Sequence, residues 1–346
     1  MTKSTPRQTW IDCVRGIGIF LVVLGHYDQG ANWLCKWIAS FHMPLFFILS
    51  GILIAIHEGH SNQSLSSILI HKAKKLFYPY FTFSLLVILY YLLRGRFDSI
   101  SKIIFYTATL EGHNTLWFLP SLWMAECLLL LLLRSKLPLS LCTAAMIIGT
   151  SAYAALQYYV IGGSVPADEG LHYQILNGLC RAGIGFVFIA LGYQGYLLRS
   201  KFSRFKKSHL RFGSLAIFAL GYCFGALNGM ADMHYSVQHN PLLYYLAAWL
   251  QSVGLITFCA VTVQKNAVLE FFGHNSLIIM ATHYPLPVIL LAQHIMSGIN
   301  TGMRYFDALI GSAIVMMLEV IVILLINRCF PYLLRIPSIK RRKNTI

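Results

Sequence analysis

Ten stretches of this chain are almost purely apolar, running near 10–33, 37–56, 77–93, 115–133, 138–160, 178–198, 212–230, 241–263, 274–296 and 305–327. Each comes close to the length of about 20 residues that an α-helix needs to cross a bilayer. Short polar and basic segments separate them. The segment 97–112 is shorter and mixed, and reads as an interfacial loop or helix. Its insertion, or one re-entrant candidate, would make the number of spans odd. The pattern predicts an all-α polytopic membrane protein with about ten transmembrane helices.

Composition narrows the class further. The 346 residues are 57% apolar and 11% charged, against about 25% charged in soluble domains. That excludes a soluble enzyme, a disordered chain and a disulfide-stapled secreted module. The net charge of +15 comes from 27 Lys and Arg against 12 Asp and Glu. With a cytoplasmic N-terminus, 20 of those 27 basic residues fall in inner segments. Five fall outside, namely Lys36, Arg94, Arg96, Lys102 and Arg304, and Arg15 and Arg181 lie within or at the ends of spans. This positive-inside asymmetry predicts an even span number with both termini cytoplasmic; the membrane expected is the plasma membrane, as the inner membrane of a bacterium. The positive charge is thus topological, and no nucleic-acid role is supported. The division expected is a cytoplasmic segment over 1–9, a membrane domain over 10–330 and a basic tail over 331–346. Residues 340–343 of that tail read as an anchor to anionic lipid. The first apolar stretch carries Asp12 and Arg15 and lacks a small-residue cleavage site, so no cleavable signal peptide is expected. Eight scattered cysteines without a CxxC pair, and 13 histidines without HxxxH or HExxH spacing, predict neither a disulfide framework nor a metal site.

Ionisable groups inside spans are costly and point to function. They are Asp12, Arg15, His26, Glu126, Arg181, His283 and Glu319. In the first span Arg15 and His26 are 11 positions apart. In an α-helix that is about three turns and about 20° of rotation, so they share a face roughly 16 Å apart along the axis. Asp12 stands three residues before Arg15, within pairing reach. Gly16, Gly18 and Gly25 thin the same helix for a close neighbour or a ligand. Singly, Arg15 reads as an interfacial anchor neutralised by Asp12, and His26 as a histidine bonded to a neighbouring helix. The shared face is what points to chemistry.

The remaining candidates each have a plain structural role beside the chemical one. His42 sits just outside the second span, with Ser50 and Gly51 deep within it, where an intrahelical back-bond and close helix packing account for them. Lys72 and Lys75 share a helix face before the third span. They suit phosphate groups as point charges, and equally ordinary positive-inside anchoring. Trp117 suits the interfacial aromatic belt or a sugar face. Glu126 lies near mid-span. His283 falls near mid-membrane just ahead of Tyr284, and Pro285 and Pro287 predict a kink beside it. Glu319 reads as a lone acid packed against a neighbour.

Together these residues resemble the acyltransferase family 3 of integral membrane acyltransferases, in its branch of fucose 4-O-acetylase-like and surface-polysaccharide O-acetyltransferases. The resemblance runs from about Trp10 to Asn327. It rests on the Arg-x10-His spacing of Arg15 and His26 within an Asp-x-x-Arg-Gly opening, on His42 to Gly51, on Leu116 to Leu119, on Arg181, and on the Gly-x-Asn-Ser-Leu segment ending at His283. Where the family often has Arg-x-x-Arg before the third span, this chain has Lys72-x-x-Lys75, which keeps the charge but not the bidentate fork. The chain ends soon after its tenth span, without the soluble hydrolase-like domain of some relatives, so transfer is expected to finish in the membrane domain or on a partner.

The resemblance implies acyl-CoA, usually acetyl-CoA, as a cytoplasmic donor and a carbohydrate hydroxyl, often on a lipid-linked glycan or surface polysaccharide, as acceptor. In that frame Lys72, Lys75 and Arg15 hold the coenzyme and Asp12 steadies Arg15. His26 is the general base, or carries the acyl group covalently. His42, Ser50, Trp117, Glu126, Arg181, His283 and Tyr284 are candidates for the acceptor side or for the oxyanion. A transporter of a lipid-linked sugar or acyl group, with broken helices and midplane charges, is the alternative from another class. A non-catalytic scaffold explains the spans but not the Asp12–Arg15–His26 face. Oligomeric state is unreadable from the small-residue faces.

Overall fold

The computed structural model describes residues 8–28, 32–58, 64–161, 170–202, 204–299 and 301–334. Lys3, Arg7 and the basic stretch from Lys340 to Lys343 lie outside the described residues. The helices in chain order are α1 Thr9–Asp28, α2 Trp33–Ala39, α3 His42–Glu58, α4 Leu65–Leu93, α5 Phe97–Ala108, α6 Phe118–Leu132 and α7 Leu139–Ile161. They continue with α8 Leu171–Phe202, α9 Lys207–Asn228, α10 Pro241–Phe258, α11 Ala267–His274, α12 Ser276–Thr282, α13 Val288–Ser297 and α14 Arg304–Cys329. Long apolar runs become helices because lipid offers no hydrogen bonds, so each backbone group must be satisfied within its own segment. Among the described residues, nine helices are long and apolar enough to cross a membrane.

Burial sorts these helices into an inner and an outer set. In the most apolar part of α3 and α8, 67% and 72% of residues are buried, against 17% in α7 and α9. The inner pair crosses backbone to backbone. A Cβ at Gly51 would collide with the Ile189 carbonyl oxygen, and one at Gly192 with that of Ile48. The start of α1 is clamped to α11 in the same way, Gly16 lying on the Leu269 carbonyl and Gly273 on that of Asp12. Small residues allow this approach, and dispersion and weak polar contacts then hold helices together where no hydrophobic drive exists.

One apolar stretch differs from the simple sequence picture. The apolar stretch 274–296, expected to be one kinked span, is broken into α12 and α13 across residues 283–287. Pro285 and Pro287 supply no amide hydrogen there, so the helical ladder cannot continue. The amide of Ile289 instead donates to the His283 carbonyl at 3.1 Å. The mixed segment 97–112 contains α5, of which Ile103 alone is buried. Between α9 and α10 the chain forms a two-residue hairpin, β1 Ala231–Asp232 and β2 Val237–Gln238, paired antiparallel with Ala231 opposite Gln238. Both the hairpin and the break at 283–287 bear on the site.

Candidate active site

Helix α1 carries polar groups near both of its ends. Near its start the Arg15 guanidinium lies 3.7 Å from the carboxylate of Asp12, which is buried. Near its end, His26 stacks on Tyr284 with ring centroids 4.7 Å apart and planes inclined by 28°. The ring of His283 is 5.2 Å away on the same imidazole. The broken helix makes this meeting possible, because it ends α12 at Thr282 and turns residues 283 and 284 toward α1.

Hydrogen bonding fixes the tautomer of His283. Its Nδ1 lies 2.6 Å from the Ile279 carbonyl, an acceptor only, so Nδ1 carries the proton. Nε2 then holds a lone pair, and it is buried without a hydrogen-bond partner among the described residues. His42, at the start of α3, has the same arrangement, with Nδ1 2.7 Å from the Ile38 carbonyl. His42 and His234 both lie within electrostatic range of His26. Beside this group Thr282 donates to both oxygens of the buried Glu319, at 2.9 and 2.8 Å, so Glu319 is not the lone acid its sequence position suggested.

A second buried network supports His234. The Arg181 guanidinium, fully buried, donates to both oxygens of Glu111 at 3.1 and 2.7 Å. Arg181 and Asn177 also donate to the His234 carbonyl at 3.3 and 3.0 Å, and the His234 amide donates to Asp232 at 2.8 Å. The His234 ring stacks on Trp117 at 5.5 Å with planes only 9° apart, and Arg181 lies 5.3 Å from the centre of the Trp117 ring. Arg181 is fully buried in this network, against the hairpin and the Trp117 ring. Burial, then the neighbouring Arg181 and His113, hold the His234 imidazole well below its ordinary pKa. His113 is lowered to about 4, by burial and then by Lys102.

The basic candidates meet elsewhere. Lys72 pairs with Glu126 at 3.0 Å, and the Ser50 hydroxyl donates to the other oxygen of Glu126. Ser50, Lys72 and Glu126 thus form one closed group, so Ser50 and Glu126 do not face His26 as free acceptor-side groups. Lys75 lies within electrostatic range of Arg15, Lys72 and Glu126. Among the described residues no carboxylate stands within ion-pair distance of it.

The structure thus gathers His26, His42, His283, Tyr284 and Trp117 toward one end of the bundle and Asp12, Arg15, Lys72 and Lys75 toward another part of it. Sequence reasoning missed Glu111, His113, Asn177 and His234. It searched for ionisable groups inside spans, and three of these four lie in loops between spans. The clue available was the proximity in sequence of Glu111 and His113 to Trp117.

Long apolar helices around a cluster of histidines, of which His283 is fully buried, define a multi-pass membrane protein. The model of acyltransferase family 3, an acyltransferase domain, matches residues 8–333, so the chain belongs to that family and is a membrane acyltransferase. No curated protein and no solved structure matches the chain.

Proposed function

We propose that the chain is an O-acetyltransferase that moves an acetyl group from cytoplasmic acetyl-CoA to a carbohydrate hydroxyl of a cell-surface polysaccharide or lipid-linked glycan. The observation that carries this reading is the His26 imidazole, in contact with the rings of Tyr284 and His283 and on the same helix that bears Asp12 and Arg15. His26 takes the proton of the acceptor hydroxyl as its oxygen attacks the thioester carbonyl. The new C–O ester bond forms, the C–S bond breaks, and the coenzyme leaves as the thiol with the proton returned by His26. Arg15, steadied by Asp12, positions the donor. Lys72, Lys75 and Arg15 are the partners for the coenzyme phosphates, Lys72 being also paired with Glu126 and Arg15 with Asp12. The acceptor sugar is placed on the other side of His26, toward His42; Trp117, buried against His234 and Arg181, supports that side from behind.

The test uses membranes containing the protein and acetyl-CoA labelled in the acetyl group. Alkali-labile label should appear in glycan or glycolipid drawn from the host surface. Movement of label across the membrane without ester formation would favour a transporter and overturn the reading.

A further inference from the structure

Positively charged residues are scarce on the side of the bundle to which the five outer basic residues were assigned, and two of those five stand beside each other. Arg94 and Arg96 flank Gly95 where α4 ends. Gly95 has φ +67°, its amide donates to Leu92, and the Arg96 amide reaches back to Tyr91 at 3.0 Å. This is the reversed helix end that glycine allows and that a side chain at position 95 would strain. It brings both arginines to one small cavity of about 160 Å³, lined also by Tyr90, Tyr91, Tyr284 and Leu290. Both arginines are exposed, and among the described residues no carboxylate lies within ion-pair distance of either.

The cavity reaches His26 through Tyr284. Tyr284 lines it and stacks on His26 at 4.7 Å. Tyr91, which also lines it, meets His113 edge-on at 5.9 Å. Leu290, an apolar residue of the lining, is 63% exposed. A volume of this size fits a headgroup rather than a whole glycan, since drug-sized pockets run from about 300 Å³ upward. Guanidinium forks match phosphate oxygens in geometry as well as charge.

We propose that Arg94, Arg96 and the surrounding tyrosines form a phosphate subsite that holds the phosphate or diphosphate of a lipid-borne acceptor. The lipid tail then lies along the exposed Leu290, and the attached sugar extends past Tyr284 to His26. This rests on the acyl-transfer reading and adds to it the anchoring group of the acceptor. The same phosphate chemistry is also presented by a phospholipid headgroup.

The experiment measures binding rather than turnover, so it stands apart from the acetyl-transfer test. The full-length protein in detergent micelles is titrated with farnesyl diphosphate, farnesol and phosphatidylglycerol, and bound lipid is counted by native mass spectrometry. Farnesyl diphosphate should bind more tightly than the other two. The double variant Arg94→Ala/Arg96→Ala should weaken that binding by at least about tenfold. Arg94→Lys/Arg96→Lys, a check on folding, should keep an intermediate affinity. Equal affinity for farnesol, or binding unchanged by the double alanine variant, would overturn the subsite. Arginine-dependent binding of phosphatidylglycerol as tight as that of farnesyl diphosphate would make it a headgroup anchor and overturn its role in acceptor recognition.

Discussion

The His26 imidazole and the Tyr284 ring lie face to face, 4.7 Å apart, although 258 positions separate them in the chain. The contact exists because the helix carrying Tyr284 is interrupted just where it passes the end of α1. Tyr284 thereby fixes the plane of His26 from one side while His283 borders it from another. If this stacking orients the base, Tyr284→Phe should change the acetyl-transfer rate little. Tyr284→Ala should lower kcat by roughly tenfold or more, since small displacements of reacting groups are costly. Steady-state rates of the two variants at saturating acetyl-CoA check this.

The Glu111–Arg181 pair is expected to be structural. Removing one partner leaves an uncompensated buried charge, at a cost of about 3–5 kcal/mol. Glu111→Ala should therefore lower the thermal unfolding midpoint in detergent by many degrees and free the hairpin that carries His234. Replacing both residues together, by Glu111→Leu and Arg181→Met, should cost markedly less, because no charge is then stranded.

Stability should fall in mild acid. The folded protein holds His113 at about 4 and His234 well below its ordinary value, both chiefly through burial. In the unfolded chain both protonate near pH 6.5. Between that value and the folded one the unfolded state binds protons that the folded state does not, so stability declines as pH falls below about 6.5 and is unaffected by these groups above it. His113→Gln should flatten the acid slope of the unfolding midpoint between pH 6.5 and 4.

Lys75 should report on the donor. Lys75→Ala should raise KM for acetyl-CoA several-fold with kcat nearly unchanged, the pattern of lost uniform binding. Lys75→Arg should restore most of the affinity, because the charge is kept. Lys72→Ala should behave differently, lowering stability as well, since it strands Glu126 beside Ser50.

Much of this architecture is legible in the sequence because lipid imposes a simple rule, apolar runs of one length. That rule marks the nine long helices, and the prolines at 285 and 287 mark the interruption. It does not say that the interruption becomes a full break, which depends on α1 and α14 packing around residues 282–284. The Arg15–His26 spacing is readable from helical geometry alone. The partners of Arg181 and Lys72 are not, because Glu111 and Glu126 lie 70 and 54 positions away and only the tertiary fold pairs them. His234 was hidden for a different reason. It sits in a short hairpin outside any span, where a histidine carries no cost and so no signal.

The most direct test of the central claim is the rate of acetyl transfer by His26→Ala, measured with labelled acetyl-CoA on protein shown to be inserted and folded. Loss of the general base predicts a fall in kcat of about 10²–10⁴-fold, with KM for acetyl-CoA close to native. Transfer at the native rate would remove His26 from the chemistry and contradict the account.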